Sequence, residues 1–536
     1  MHGVGGGHGR AVRLRVEDDI DVEQFDRVVA NGGDPEDVQS VRMRLGNRLL
    51  GPSRFGKMFP DLDPFRPSDR ALVELGRAMT SLENPALNNS DIPAGFTYLG
   101  QFIDHDITRD ETEGFPVIDD PELIEQGRRV TLDLDSLYGQ GPKRQPELYS
   151  KNFPPSQARF RLGFTTPTPD VGGGRLPNDL PRRANKEAVI PDDRNDENTI
   201  VAQTHLAFLK FHNKVMDTTI AETEDDDEGS ATFTQADEER RQIPFNIAKR
   251  SVRWHYQWLV LNDFLPQLVD RNVLDDIRAN GRRFYDFSDR PFRGEPFMPL
   301  EFSGAAYRLG HSMIRDEYNF NRVFSDPLQV PGARQVATLD LLFTFTGKGG
   351  MFGSPTLPSN WIIDWRRFFP VDDPALVNFT RAIDITLAES LRQLPVPSGQ
   401  PAVLAVRNLL RGSRVGLPTG QDVAQEIGAT TLTPAQIASG NVREIVRKHN
   451  FHQQTPLWYY ILKEAEVQGE RMRLGEVGSR ILGEVFVGLL EGDPNSFLSR
   501  QPDWTPTLSS TIPGASPGDF KMADLLRFVN EINPIG

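Results

Sequence analysis

Apolar residues recur at helical spacing in several long segments of this chain, and segments rich in proline and glycine separate them. Residues 200–215 show this spacing directly after acidic Asp196 and Glu197, a pattern typical of a deeply buried helix. Residues 243–269 form a long aromatic version of the same pattern. Further helices are predicted over residues 299–315, 376–392, 400–411, 441–465 and 474–490.

The connections between these helices are long. Residues 51–70 and 152–191 are punctuated by proline and glycine, which indicates irregular backbone. Strand patterns are short and scattered, and the chain has no internal repeat, which argues against solenoid and propeller folds. The pattern therefore predicts a mainly α architecture with long irregular loops and few short strands. A length of 536 residues allows two to four domains or a single oversized one.

Composition narrows the function classes. The net charge of −15 argues against a nucleic-acid partner, because phosphate binding requires an excess of clustered lysine and arginine. The absence of cysteine excludes disulfides, thiolate metal sites and thiol catalysis. No stretch reaches the ~18–20 uncharged apolar residues of a membrane span. The first residues lack the basic and apolar regions of a standard signal peptide, so the compartment stays open.

The most informative chemical cluster lies in residues 100–108. At ~100° per residue, Gln101, Asp104 and His105 fall on one face of a helix, and Asp106 is turned about a quarter revolution aside. One helical turn can thus offer an acid/base histidine and an amide to a cavity, and a carboxylate to a metal site behind it. The alternative is a histidine that only makes a hydrogen bond in the core.

Two further clusters carry charged groups. Asp133 and Asp135 alternate with leucines, so an extended backbone would point both carboxylates the same way. Together with Asp106 they could bind a hard cation such as Ca²⁺, and a solvated strand edge is the alternative. Arg194 lies just before residues 200–215, where a permanent cation could face a cavity or form a surface ion pair.

Two motifs follow towards the C-terminus. In the first, Gly310 lies between Arg308 and His311 and permits close approach of another group. In the second, Asn408 lies one helical turn before Arg411. Each motif is weak when it is taken alone.

In order and in register, the five clusters resemble the successive motifs of the animal-type haem peroxidases of the peroxidase-cyclooxygenase superfamily. The resemblance covers residues 95–420, with weaker similarity over residues 258–266 and 520–529. It implies one large helical haem peroxidase domain over residues 51–536, preceded by an N-terminal extension of residues 1–50.

The resemblance implies haem b as a cofactor and a role for each motif residue. His105 would be the distal histidine, which takes a proton from hydrogen peroxide and returns it to the leaving oxygen. Arg194 would stabilise the negative charge that develops as the O–O bond breaks, and Gln101 would line the distal pocket and hold water or a halide. His311 would be the axial iron ligand, and Asn408 would accept a hydrogen bond from its other ring nitrogen.

Other residues would bind the haem periphery and a metal ion. Asp104 and Glu197 align with carboxylates that form ester links to haem in relatives, and the sequence does not show whether they do so here. Arg308 and Arg411 would bind the haem propionates. A Ca²⁺ site next to the distal helix would be enclosed by side chains or backbone carbonyls of Asp106, Arg129, Thr131, Asp133 and Asp135.

The chain departs from the family pattern at several positions. Asn198 stands where some relatives carry a methionine bonded to haem, so that link should be absent. Asp135 replaces a hydroxyl ligand and Arg129 replaces a threonine, which makes the calcium site more anionic. Cyclooxygenases and fatty-acid dioxygenases carry a radical-forming tyrosine three residues before the axial histidine. This chain has Arg308 there, and Tyr307 would face elsewhere.

We therefore expect an enzyme, a haem peroxidase that forms a ferryl intermediate with hydrogen peroxide and oxidises small donors, phenolic compounds or halides, in the response to oxidative stress. The alternatives are a fatty-acid dioxygenase of the same fold and a non-catalytic, calcium-dependent binding protein. The physiological donor and the oligomeric state stay open. His205 and His212 lie seven residues apart without a third metal ligand nearby, and we assign them to the core.

Overall fold

The computed structural model describes residues 54–80, 89–112, 116–124, 126–227, 244–288, 292, 294–394, 401–512 and 514–536. The predicted N-terminal extension, residues 1–50, lies outside these ranges. Within them the chain is mainly helical, with long irregular loops and short strands, as predicted.

Helices form where apolar spacing, caps and flanking prolines agree. In chain order the α-helices of the described ranges are α1 (Asp69–Ala78), α2 (Gly95–Ile107), α3 (Asp135–Tyr138), α4 (Thr199–Asp227), α5 (Pro244–Leu259), α6 (Leu265–Leu268), α7 (Arg271–Asn280), α8 (Leu300–Gly304), α9 (Gly310–Met313), α10 (Leu339–Thr344), α11 (Leu404–Arg414), α12 (Gly420–Glu426), α13 (Pro434–Ile437), α14 (Arg443–Lys448), α15 (Leu457–Val467), α16 (Glu476–Gly492), α17 (Phe497–Arg500) and α18 (Met522–Val529).

The strands pair in twos and build no larger sheet in the described part of the chain. The strands are β1 (Phe55–Gly56), β2 (Asn89–Pro93), β3 (Met298–Pro299), β4 (Glu317–Tyr318), β5 (Ala337–Thr338) and β6 (Phe379–Arg381). β1 pairs with β3 in parallel, whereas β2 pairs with β6 and β4 pairs with β5 in antiparallel fashion. The pairs β1–β3 and β2–β6 join segments that are distant in the sequence, and the pair β4–β5 closes one long loop.

Helix α4 is the central element around which the site is built. Residues 199–212 are all buried, because apolar side chains cover every side of this part of the helix. Helix α4 packs against α2, α5 and α18. The Phe102 ring of α2 stacks on Phe208 of α4 with centroids 4.7 Å apart, and burial of such a ring contributes roughly 1.5–3 kcal/mol. This packing holds the helix that carries His105 against the helix that follows Arg194.

Three predicted helices differ in the structure. The prediction over residues 299–315 is interrupted, since Ala305 leaves the helical region (φ −136°, ψ −72°) between α8 and a 3₁₀ turn at Ala306–Leu309 that leads into α9. The prediction over residues 441–465 divides into α14 and α15, because Asn450 is left-handed (φ 56°). In the prediction over residues 243–269, the described residues 244–268 are helical, but a π-helical turn at Val260–Phe264 interrupts the α-helix.

The predicted helix over residues 376–392 was wrong. This segment forms strand β6, an irregular stretch and a 3₁₀ turn at Glu389–Arg392. β6 pairs with β2, which lies almost three hundred residues earlier, and that pairing overrides the local apolar spacing. No helix in the described ranges combines the length and apolar character that crossing a lipid bilayer requires.

Candidate active site

Helix α2 carries three of the predicted site residues on one side. Gly100 lets this helix approach its neighbours closely, because a Cβ there would lie 3.1 Å from the ring of Phe264. His105 is buried, whereas Gln101 and Asp104 are half-buried. The helix is therefore largely enclosed in the core, and Gln101 and Asp104 keep partial exposure.

His105 is held by an asparagine that the sequence did not single out. Nδ1 of His105 lies 2.9 Å from Oδ1 of Asn195, so the Nδ1–H group donates. Nε2 of His105 makes no hydrogen bond to the described residues. Burial, followed by the positive charge of Arg194, lowers the pKa of His105 to about 3. The imidazole is therefore neutral and keeps one ring nitrogen available as a proton acceptor.

Arg194 is fixed by Asp192, a fully buried residue two positions earlier. Nε and Nη2 of Arg194 donate to the two carboxylate oxygens of Asp192 at 3.0 and 2.8 Å. Nη2 also donates to the backbone carbonyl of His105 at 3.1 Å. Burial alone would raise the pKa of Asp192, but the hydrogen bonds and charge of Arg194 hold it well below its usual range. A permanent cation is thus locked beside His105.

Gln101, Glu197 and Asn198 form one hydrogen-bonded group. Nε2 of Gln101 donates to Oε1 of Glu197, and Nδ2 of Asn198 donates to Oε1 of Gln101 at 2.9 Å. Asn198 also caps helix α4, since its Oδ1 accepts from the Val201 N–H at 2.9 Å. Burial raises the pKa of Glu197 to about 7 and also raises the pKa of Asp104. Asn198 thus orients Gln101, a role that its position before α4 could have signalled.

His311 lies on α9 and contacts Asn408 of α11, but the donor differs from the prediction. Nδ1 of His311 lies 2.8 Å from Nδ2 of Asn408, and Oδ1 of Asn408 accepts from Nη1 of Arg308, also at 2.8 Å. Asn408 therefore donates to His311, because Arg308 occupies its carbonyl oxygen. Burial, followed by the charges of Arg308 and Arg407, lowers the pKa of His311 to about 3. Nε2 of His311 has no hydrogen-bond partner in the described ranges.

Three arginines lie near His311, and they differ in whether an acidic residue compensates their charge. Arg411, which was predicted to bind a propionate, forms an ion pair with Asp110. Arg308 and Arg407 have no ion-pair partner among the described residues, and burial lowers the pKa of both. Arg407 belongs to the same motif as Asn408 and received no role from the sequence. Unpaired, half-buried cations of this kind suit an anionic group.

The residues around His105 and those around His311 lie on neighbouring elements, because α2 packs against α9. Oη of Tyr307 donates to the backbone carbonyl of Gly100 at 2.9 Å, which joins the segment before α9 to α2. The charge of Arg308 acts on Asp104, and the charge of Glu197 acts on Arg407. Beside His311, a Cβ on Gly310 would meet nothing within 4 Å, so open space lies there.

The predicted cation ligands converge behind α2. Asp106, Asp133 and Asp135 each place one carboxylate oxygen within 4.8 Å of the others. Burial and the charges of Asp135 and Asp133 raise the pKa of Asp106 well above its usual range. Oγ1 of Thr131 is buried and has no hydrogen-bond partner among the residues that the structure describes. Arg129 forms an ion pair with Asp133 at 3.0 Å, which compensates part of the negative charge.

The extended backbone predicted for this segment was wrong. Leu134 adopts a left-handed conformation (φ 59°), and helix α3 begins at Asp135. The side chains of Asp133 and Asp135 are thus brought together by a turn. Asp106 accepts from the backbone N–H groups of Leu134 and Ser136 at 3.1 and 3.2 Å, which closes this turn onto α2.

The two histidines assigned to the core are buried in helix α4. The Nε2–H group of His212 donates to the carbonyl of Ala158 at 3.1 Å, and its Nδ1 accepts from the Tyr138 hydroxyl at 3.0 Å. His205 differs, since its Nδ1 lies 3.1 Å from Nδ2 of Asn195. His205 is therefore linked to His105 through one amide.

The chain is similar to known proteins in sequence and in fold. A profile of the animal haem peroxidase family matches residues 119–494, a range that contains Arg194, His311 and Asn408 and begins after α2. The chain is 22% identical over 375 residues to heme peroxidase 2 of Caenorhabditis elegans, over 68% of this chain and 47% of that protein. The chain thus spans about half the length of this relative.

Two solved structures share the fold. Peroxidase A from Dictyostelium discoideum superposes with a TM-score of 0.59 at 15% identity, over 89% of this chain and 95% of that one. A fatty acid alpha-dioxygenase from Oryza sativa superposes with a TM-score of 0.54 at 14% identity, over 88% of this chain and 80% of that one. At these identities the likeness concerns the fold alone.

Proposed function

The chain belongs to the animal haem peroxidase family, and from this premise we propose that it binds haem b between His105 and His311 and uses hydrogen peroxide to oxidise small reducing donors. One observation carries the proposal. Each histidine has Nδ1 engaged by an asparagine side chain, Asn195 or Asn408, and each Nε2 is free of hydrogen bonds within the described residues. Two such imidazoles on the neighbouring helices α2 and α9 suit iron binding at one and proton transfer at the other.

The residues present fit a haem. Nε2 of His311 would hold the iron, and open space lies beside Gly310. Arg308 and Arg407 lack acidic partners and would bind the propionates, whereas Arg411 is already paired with Asp110. Bound haem would supply the redox centre that reduces peroxide and then withdraws electrons from the donor.

The chain's own residues would manage the proton and the charge. His105 is neutral and would accept the proton of hydrogen peroxide at Nε2, then donate it to the oxygen that leaves as water. Arg194 cannot lose its proton, and Asp192 holds it in place, so it would stabilise negative charge that develops on the breaking O–O bond. Gln101, oriented by Asn198, would order the water or halide beside it.

Small phenolic compounds or halides remain our proposed donors. A fatty-acid dioxygenase ranks second, since the Oryza sativa structure shares the fold and is titled as such an enzyme. Arg308 occupies the position three residues before His311, and the neighbouring Tyr307 uses its hydroxyl on the Gly100 carbonyl. The structure therefore offers no free tyrosine hydroxyl at this place for a radical step on a lipid.

Two finer features are proposed with the cofactor. Asp104 and Glu197 would face the haem edge and are the residues available for ester links. Ca²⁺ would bind at Asp106, Asp133 and Asp135, with oxygens of Thr131 and Arg129 completing the site. Converging carboxylates and the unpartnered Thr131 hydroxyl support this assignment.

An absorption spectrum of the purified, haem-supplemented protein, before and after peroxide, tests the proposal. We expect a Soret band in the wild type, its loss or alteration in His311→Ala, and a peroxide reaction slowed by ~10² or more in His105→Gln with haem still bound. A colourless wild type would instead favour the non-catalytic binding protein. Hydroperoxide formation from linoleate and O₂ without added peroxide would favour the dioxygenase.

A further inference from the structure

Asn195 joins two buried histidines through opposite ends of its amide. Its Oδ1 lies 2.9 Å from Nδ1 of His105, and its Nδ2 lies 3.1 Å from Nδ1 of His205. All three side chains are buried, and Nε2 of His205 has no hydrogen-bond partner in the described part of the chain. An amide oxygen only accepts and an amide nitrogen only donates. The oxygen therefore requires a proton on Nδ1 of His105, and the nitrogen requires a bare Nδ1 on His205.

We propose that Asn195 is a positioning residue that fixes His105 in the Nδ1–H tautomer, and that its amide couples the tautomer of His205 to that of His105. The inference rests on the proposed function for the use of His105, because only this tautomer leaves Nε2 bare as a proton acceptor. Rotation of the amide by 180° would exchange both tautomers and put a proton on Nε2 of His105. His205 would have to change tautomer together with His105, so the amide couples the two imidazoles.

The backbone of Asn195 is fixed on both sides. Its N–H donates to the Asp192 carbonyl at 3.1 Å. The next residue, Asp196, forms an ion pair with Arg182 at 2.6 Å and accepts from the Gly347 N–H at 3.0 Å. Asn195 is therefore carried by a rigid turn, which suits a group that must present one orientation.

Nitrogen NMR reads the tautomers directly. The full-length chain would be labelled with [¹⁵N]histidine and studied as purified, reduced under carbon monoxide so that any haem iron is diamagnetic. His105→Gln and His205→Gln assign the signals. We expect Nδ1–H at His105 and Nε2–H at His205 in the wild type. Asn195→Asp should keep Nδ1–H at His105 and move the proton of His205 to Nδ1, and Asn195→Leu should release His105 to Nε2–H.

Peroxide kinetics give the second readout. In Asn195→Leu we expect the rate constant for the reaction with peroxide to fall roughly 10-fold or more, with the KM for the donor unchanged and with less loss than in His105→Gln. Asn195→Asp should stay within a few-fold of the wild type. The matched control is Asn213→Leu, which also removes two side-chain hydrogen bonds, both to Phe160, and touches neither histidine.

The outcomes separate this inference from the proposed function. An Nε2–H tautomer at His105 in the wild type, or an unchanged tautomer in Asn195→Leu, would overturn the role of Asn195. Equal peroxide rates in Asn195→Leu and Asn213→Leu would do the same. If His105→Gln leaves the peroxide reaction intact, the proposed function fails, while the NMR tautomers still decide what Asn195 does.

Discussion

Arg308 donates to the side-chain carbonyl of Asn408 at 2.8 Å, and this contact turns the Asn408 amide so that it donates to His311. A metal-bound histidine normally donates its second N–H to an acceptor, which raises its basicity. If Arg308 instead bound a carboxylate, such as a haem propionate, Oδ1 of Asn408 would be free to accept the hydrogen bond from Nδ1–H of His311. The partner of Arg308 and the state of His311 are therefore linked through one amide.

This link predicts the effect of Asn408→Asp. A carboxylate accepts from Arg308 and His311 at once, so haem should stay bound and its reduction potential should fall as His311 becomes more basic. Asn408→Leu offers no acceptor and should weaken haem binding roughly 10–100-fold. Spectroscopic redox titration and haem titration measure these effects. Equal potentials in the wild type and Asn408→Asp would contradict the link.

Arg407 should matter more for haem binding than its neighbour Arg411. Arg407 has no ion-pair partner in the described part of the chain, whereas Arg411 is compensated by Asp110. Arg407→Leu should lower haem affinity about 10-fold through loss of a charge-assisted contact, and Arg411→Leu should cost less. Haem titration followed at the Soret band compares the two variants. A larger loss in Arg411→Leu would show that the propionates bind on the other side.

The buried imidazole of His212 should make stability depend on pH. Burial lowers its pKa to about 4, below the unperturbed value of 6.5. In the unfolded chain His212 becomes protonated below pH ~6.5, whereas in the folded chain it stays neutral down to about pH 4. The free energy of unfolding therefore decreases as the pH falls from 6.5 to 4. The stability advantage of the wild type over His212→Gln should shrink by up to ~1.4 kcal/mol per pH unit on acidification.

Urea unfolding of both proteins at pH 7, 5.5 and 4.5 measures this difference. Comparison with the variant cancels the contributions of the other titrating groups that the two chains share. A stability difference that is constant across the three pH values would contradict the lowered pKa of His212.

Calcium should stabilise the turn between Asp133 and Asp135. A bound cation would relieve the repulsion that raises the pKa of Asp106. We expect one Ca²⁺ per chain by elemental analysis, a higher Tm with calcium, and loss of both in Asp135→Asn. Arg129→Thr removes a competing guanidinium and should tighten binding. Absence of metal together with a Tm that ignores chelator would refute the site.

If Asp104 and Glu197 form ester links to haem, treatment of the haem-loaded protein with peroxide should attach the haem covalently to the chain. The band that stains for haem on a denaturing gel should persist in the wild type and weaken in Asp104→Asn and Glu197→Gln. Haem that is fully extracted by acidified solvent from peroxide-treated wild type would rule out both links.

The sequence was sufficient to predict those elements whose formation depends on a local pattern of residues. A buried helix needs apolar residues on every turn, so the spacing predicted α2, α16 and the first half of α4, which continues beyond residue 215 to Asp227. The order of polar residue types along these helices indicated the family, which the match over residues 119–494 confirms. The roles of the individual site residues and the boundary at residue 51 stay predictions.

Contacts between distant residues decided the rest. Within residues 376–392, Phe379–Arg381 forms strand β6 and pairs with β2, and no local signal records a partner so far away. The orientation of the Asn408 amide depends on Arg308, the compensation of Arg411 depends on Asp110, and the tautomer of His105 depends on Asn195. Amino-acid order determined which chemical groups the chain possesses and which segments are helical, because both are local properties. Tertiary structure alone decided which donor meets which acceptor, because a hydrogen bond or ion pair forms only when packing brings two side chains within about 3 Å of each other.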